Sequence, residues 1–238
     1  MYRNALLTAL IGLAITTAKA QDRTIADPHA VRRSVAPFRA ISVERGVDLY
    51  LSQGDNAVVV SAGSETDRAH IITKVVNGEL LISYDRNEGG ISLSDKHLKA
   101  YVSVKTLEKL HASGGSDVHV EGVFHADDLK MELSGGSDGH GEWVARRLHI
   151  ELSGGSDSHF RGSAGDLIIS ASGGSGFHGE DLRADQVTAS ASGGSEVYVI
   201  ANKELEARAS GGSDIYYSGS GSVRVVNVSG DSSVKRKS

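Results

Sequence analysis

Acidic and ring-bearing side chains recur in this chain two residues apart. Asp117 and His119, Asp138 and His140, Asp157 and His159, Glu196 and Tyr198, and Asp214 and Tyr216 form such pairs, and His178 follows Gly176 in the same frame. Residues at i and i+2 share one face of a strand, so each pair presents an acid and a ring to the same side. Three chemistries suit this set. Imidazoles with adjacent carboxylates ligate transition metals, which makes His119, His140, His159 and His178 candidate metal ligands. Flat rings beside acids also suit contact with a glycan or a protein. The third reading is architectural: like rings stack in register, Asp pairs with His, and Asp caps a turn.

What would hold such pairs in line is a repeat. Ser-Gly-Gly-Ser begins at Ser113, Ser134, Ser153, Ser172, Ser192 and Ser210, and Ser-Gly-Asp-Ser begins at Ser229; the steps are 21, 19, 19, 20, 18 and 19 residues. Before each copy, apolar residues alternate with polar ones, as in Leu129-Lys130-Met131-Glu132-Leu133 and Leu148-His149-Ile150-Glu151-Leu152. Alternation of period two is a half-buried strand. Strands of one direction every ~19 residues, with no room for a crossover helix, predict a parallel β-solenoid with one repeat per coil. The glycine pairs Gly114/Gly115, Gly135/Gly136, Gly154/Gly155, Gly173/Gly174, Gly193/Gly194 and Gly211/Gly212 are its expected corners, where the bend needs positive φ or close backbone approach.

After each corner the expected inward pairs are Val118/Val120, Gly139/Gly141, Ser158/Phe160, Phe177/Gly179, Val197/Val199 and Ile215/Tyr217. Coils with Ala before the corner carry Val, Ile or Tyr after it, as constant core volume requires. The acid–ring pairs then fall on the outer face.

Composition narrows the function. The chain has 238 residues, no Cys and a formal charge of −5. Without cysteine there is no disulfide scaffold, thiolate metal site or cysteine nucleophile. Residues 1–20 read as a secretory signal peptide, with Arg3, an apolar run to Ala18 and a small-x-small end at Ala18-Lys19-Ala20. Its removal leaves 23 basic against 30 acidic side chains, formally −7, which disfavours nucleic acid. No later stretch approaches eighteen apolar residues, so no transmembrane segment is expected in the mature chain. Export without cysteine suggests a bacterial periplasm or cell surface. Residues 21–36 read as a polar, irregular leader, 37–112 as an N-terminal β part that starts and caps the solenoid, 113–232 as the coils and 233–238 as a basic tail. Asn77-Gly78 is a hairpin signal, and Asn87-Glu88-Gly89-Gly90 a further turn.

In that N-terminal part, Phe38-x-x-Ile41-x-Val43-x-x-Gly46-Val-Asp-Leu49, Gln53-Gly54, Val58-x-Val60 and Val75/Val76-Asn77-Gly78-x-Leu80-x-Ile82 follow in order. Together with the Ser-Gly-Gly-Ser coils, this resembles the putative auto-transporter adhesin, head GIN domain family of exported bacterial proteins, over roughly residues 37–230. The resemblance implies a right-handed parallel β-helix, an adhesin-like role and no catalytic residues.

Other motifs point to enzymes less well. Gly135-Gly136-Ser137-Asp138-Gly139 fits G-x-S-x-G, but that elbow needs a strand–turn–helix, not a solenoid corner. Trp143 either lines a sugar groove or packs at a corner. The reading is therefore an exported, non-enzymatic solenoid without cofactor that contacts a surface glycan or envelope protein through Asp117, His119, Asp138, His140, Asp157, His159, His178, Glu196, Tyr198, Asp214 and Tyr216. The alternatives are a carbohydrate-active enzyme of the β-helix type and a periplasmic metal-binding protein.

Overall fold

The computed structural model describes residues 27–85 and 97–237. The signal-peptide segment and the turn at residues 87–90 lie outside these. In chain order the strands are β1 (Val31–Arg33), β2 (Ala40–Glu44), β3 (Asp48–Gln53), β4 (Ala57–Ser61), β5 (Ile71–Val76), β6 (Glu79–Tyr84), β7 (Lys99–Val104) and β8 (Lys109–Ser113). Then come β9 (Val118–Ser134), β10 (Gly139–Ser153), β11 (Asp157–Ala171), β12 (Gly176–Ser192), β13 (Glu196–Ser210), β14 (Asp214–Ser218), β15 (Ser222–Ser229) and β16 (Ser233–Arg236). The one helix among the described residues, α1 (Glu65–Ala69), has Ser64 at its N-cap. No helix here is long and apolar enough to cross a membrane.

Strands β9 to β13 stack in parallel and in sequence order, each joining the strand after one corner to the strand before the next. Equivalent residues lie in register: His140 beside His159, Leu148 beside Leu167, Ile150 beside Ile169. The result is a parallel β-solenoid of about seven turns. The N-terminal third builds its start out of sequence order. Strands β2 and β3 form one turn; β8 and β9 stack on one side of it, and β6 and β7 on the other. Beyond β6 and β7 the pairing becomes antiparallel, with β4 on β7, β1 on β4 and β5 on β6. A segment read as irregular thus contains an edge strand, because extended backbone satisfies its polar groups by pairing with the free edge of β4.

Each Gly-Gly corner places both residues in the left-handed region, for example Gly154 at φ 67° and Gly155 at φ 75°. The two glycines are needed for different reasons. A Cβ on Gly154 would lie 3.2 Å from the backbone N of Gly135 in the adjacent turn, and Gly173, Gly193 and Gly211 abut the turn before them in the same way, at 3.2, 3.2 and 3.3 Å. The second glycines answer the other of the two expected demands, positive φ without close approach. Gly115, Gly136, Gly155, Gly174, Gly194 and Gly212 are exposed, and a Cβ on any of them would meet nothing within 4 Å. Gly174, Gly194 and Gly212, at φ 80°, 83° and 87°, are therefore held to glycine by backbone conformation alone and contribute no packing contact to the corner. The physical reason is that the first glycine faces the stack while the second turns its α-carbon to solvent. Arg45-Gly46 takes the same left-handed conformation, φ 65° and 74°, and Gly114 packs on the Arg45 backbone. This is a further corner, hidden in the sequence because it lacks the Ser-Gly-Gly-Ser word.

The last Ser of each corner points inward and is fully enclosed: Ser116, Ser137, Ser156, Ser195 and Ser213 have no solvent exposure. The N–H of Ser116 donates to Ser137 Oγ at 3.0 Å, that of Ser137 to Ser156 Oγ at 3.2 Å, and that of Ser156 to Ser175 Oγ at 3.3 Å. The Ser175 and Ser195 hydroxyls in turn donate to the carbonyls of Ser172 and Ser192. A hydroxyl both donates and accepts, so a buried serine serves two backbone groups that would otherwise lose water.

The core runs along the whole axis. Leu129, Met131, Leu133, Leu148, Ile150 and Leu152 are buried in the early turns, and Ala189, Ala191, Ala207 and Ala209 in the later ones. Val197, Val199 and Ile215 fill the space opposite those alanines. Ala189→Leu or Ala207→Leu should therefore destabilise by ~1–3 kcal/mol through overpacking, seen as a lower urea midpoint; two neutral results would contradict the inward placement. In the last turn, Val226 and Val228 continue the inward columns yet are 50% and 41% exposed. Strand β15 pairs only with β13, so no further strand among the described ones ladders onto its other side.

Candidate functional site

The acid–ring pairs sit on the strands that follow each corner, with side chains opposite the buried positions. Register makes the rings one continuous stack. Centroid separations are 5.7 Å for His119–His140, 5.2 Å for His140–His159, 4.3 Å for His159–His178, 5.3 Å for His178–Tyr198 and 4.8 Å for Tyr198–Tyr216. Two rings not expected from the sequence extend it. Tyr50 stacks on His119 and Tyr101 on Tyr50, each at 5.1 Å. The column thus holds eight rings, Tyr101 to Tyr216. The signal was present: Asp48-x-Tyr50 follows Arg45-Gly46 as Asp117-x-His119 follows Gly114-Gly115.

The carboxylates form the neighbouring column and bond to backbone. The N–H of Asp138 donates to Asp117 Oδ1 at 2.9 Å, and that of Asp157 to Asp138 Oδ1 at 3.0 Å. At the N-terminal end the N–H of Asp117 reaches Asp48 Oδ1 at 3.4 Å. Partial burial pushes the Asp48 carboxyl above its usual range despite that bond. Tyr198 O–H donates to Glu196 Oε2 at 3.3 Å. Gly176 takes the acid's place in one turn; a Cβ there would meet Asp157 Oδ1 at 2.5 Å.

This geometry limits the chemistry. Adjacent imidazole planes lie within 9–18° of parallel. Their nitrogen lone pairs, which lie in the ring planes, therefore run side by side and do not converge on one ion. Among the described residues no three His, Asp or Glu side chains are grouped to hold a metal. Ring faces inside the column are covered by neighbouring rings, so the outer surface is made of ring edges, tyrosine hydroxyls and carboxylates. That favours hydrogen bonding over stacking against an apolar sugar face. Trp143, the candidate groove-lining ring, is wholly buried between Phe124 and Phe160. Shallow depressions mark the surface of the described residues. One of about 350 Å³ is lined by serines and alanines with Arg208 and Asn227, and one of about 190 Å³ lies at the end of the ring column.

Protonation of the column is set by competition. Burial, then the charges that His178 and His140 would carry, lowers the His159 pKa; Asp157 and Glu180 pull the other way and lose. An unfolded histidine titrates near ~6.5. Above that both states are neutral and stability is full. As pH falls below it, the unfolded chain takes up the proton first, so stability declines until His159 itself protonates in the folded state. Urea midpoints should fall between pH 7.5 and pH 5, and less steeply in His159→Gln. A His159 ring titrating at or above the unfolded value would contradict this.

A family model described as "Putative auto-transporter adhesin, head GIN domain" matches residues 37–221. The chain belongs to that family. Solved structures share this fold. A putative adhesin from Bacteroides fragilis superposes with a TM-score of 0.81 at 22% identity, covering 87% of this chain and 96% of that one. A putative adhesin from Parabacteroides merdae gives 0.70 at 14% identity, over 88% and 95%. A putative lipid binding protein from Parabacteroides distasonis gives 0.67 at 16% identity, over 90% and 98%. At these identities the likeness is one of fold. No curated protein matches the chain.

Proposed function

We propose that this head GIN domain is an exported, non-catalytic interaction module that holds a surface glycan or an envelope protein on its outer ring-and-carboxylate face. The observation that carries the reading is the unbroken column of eight rings with acids at its side. At ~4.8 Å per turn it offers a straight polar face roughly 34 Å long, matched to an extended partner. Membership of an adhesin-like family supports the same role. Catalysis instead requires a local, non-repeating group of acids and bases in a cleft, and here the polar groups recur turn by turn.

The test uses beads coated with the mature domain, applied to bacterial envelope fractions and a glycan array. Binding is expected to at least one surface. It should fall at least tenfold in the Asp157→Lys, Glu196→Lys double variant; among the described residues neither side chain accepts a backbone bond from the next turn, as Asp117 and Asp138 do. Absence of binding to every surface, or binding indifferent to this charge reversal, would refute the proposal.

A further inference from the structure

The ring column does not end bare. At its C-terminal end, strand β16 pairs in parallel with β14 and sets Lys235 against Tyr216 in register. The Lys235 ammonium lies 5.9 Å from the Tyr216 ring centroid, and that of Lys237 lies 4.6 Å from the Tyr198 centroid. The two lysines are alternate residues of one extended segment, so they fall on one side of it and reach successive rings. Around them stand carboxylates: Lys235 is 3.9 Å from Asp214 Oδ1, and Glu196 bonds to the Tyr198 hydroxyl. The depression of about 190 Å³ beside Lys237 is lined by Glu180, Tyr198, Tyr216 and Tyr217. The outer face of Tyr216 attracts an ammonium through the ring quadrupole, while at Tyr198, stacked between His178 and Tyr216, the attraction comes chiefly from the carboxylates of Glu196 and Glu180.

The seated segment is a short edge element, anchored by Val234 against the core and by Arg236 donating to the Gly219 carbonyl at 2.8 Å. Strand β16 spans four residues and pairs only with β14 among the described strands. The Lys235 side chain is 59% exposed. Short, exposed edge elements open locally at small cost. The seat is thus more durable than its occupant, since the rings beneath belong to the stacked body of the solenoid.

We infer that the Tyr198–Tyr216 end of the column, with Glu180 beside it and the edge of β14 beneath, is a receptor for an extended Lys-x-Lys segment of a partner protein, and that β16 occupies it in the free chain. The partner strand would displace β16, pair with β14 and place its two ammoniums where Lys235 and Lys237 now lie. This inference rests on the outer face being an interaction surface and names one partner for its C-terminal end.

The test is an NMR titration of the full chain with the peptide acetyl-Ser-Val-Lys-Arg-Lys-Ser-amide, following the Tyr198 and Tyr216 ring protons. In the Lys235→Ser, Lys237→Ser double variant, which removes the competing ammoniums but keeps the β16 backbone, both rings should shift, with affinity at least about fivefold tighter than for the unaltered chain, as expected for losing two exposed cation–π competitors. Tyr198→Ala should abolish the effect, and Arg146→Gln, outside the column where it pairs with Asp127, should leave it unchanged. Equal shifts with a peptide whose lysines are replaced by serine would overturn the inference, as would shifts with tetramethylammonium but none with the peptide, or no shifts in the double variant. Loss of envelope binding with the peptide response intact would count against the wider function alone; the reverse would count against this site alone.

Discussion

Trp143→Ala should lower the stability of the domain by ~3–5 kcal/mol, the range for deleting a large buried aromatic. Trp143 has no exposed surface, and its ring meets Phe124 at 5.4 Å and Phe160 at 6.0 Å between centroids. It also fills space that its own turn leaves open. Gly139 and Gly141 stand at inward positions of β10, and a Cβ on Gly141 would lie 3.4 Å from the indole Nε1. The neighbouring turns, paired in register on both sides of β10, cannot collapse far enough to close the cavity, which places the cost high in the range. The indole N–H has no hydrogen-bond partner among the described residues. Trp143→Phe therefore sheds an unsatisfied donor while keeping much of the volume, and should cost clearly less. Urea denaturation followed by far-UV circular dichroism is the suitable measurement, since Trp143 is the only tryptophan and fluorescence would vanish with it. A loss below ~1 kcal/mol for the alanine variant would mean that the turns repack freely along the axis.

The parts of this molecule legible in its sequence are those the repeat enforces. Ser-Gly-Gly-Ser announces the corners because the first glycine abuts the backbone of the adjacent turn and the second must adopt a left-handed conformation. Which glycine answers to which demand was not legible, since both letters of the word are the same and only the direction of the stack tells Gly173 from Gly174. The alternation of Leu129, Met131 and Leu133 announces the strand before the corner, and fixed spacing then places His119, His140, His159 and His178 in one column. What stayed hidden depends on pairings that the repeat does not encode. Tyr50 and Tyr101 join the column because β3 and β7 enter the stack out of chain order. Strand β1 forms because an antiparallel edge was available, a matter of tertiary position and not of the local residues. Whether imidazoles in a row would converge on a metal or stack was likewise unreadable, since spacing places the rings but does not orient their planes. The buried indole of Trp143 answers to the glycines opposite it, a relation between faces of one turn.

A glycine outside the repeated corners carries the second large effect. Gly162→Ala should destabilise by ~3 kcal/mol or more, through backbone strain added to a steric clash. Gly162 lies beside Trp143 in the β10–β11 register, at φ 115°. A Cβ built there falls 2.1 Å from the Trp143 carbonyl oxygen and 3.1 Å from its backbone N. Both atoms belong to backbone, so no rotamer change relieves the contact and the two strands must separate. Gly155→Ala is the matched control: its φ is also positive, at 75°, but its Cβ would meet nothing within 4 Å, so only the left-handed penalty of about 1–2 kcal/mol applies. If conformational strain alone governed the solenoid, the two variants would differ only by the cost of φ 115° over φ 75°, with no effect localised at the Trp143 pairing. If close stacking of backbone on backbone governs it, Gly162→Ala should lose at least ~1 kcal/mol more than Gly155→Ala. It should also raise amide exchange selectively across the Trp143–Gly162 pairing, because each turn is stabilised chiefly by its immediate neighbours. Equal midpoints, or exchange spread evenly over all turns, would contradict the dependence of the fold on close approach at this pairing.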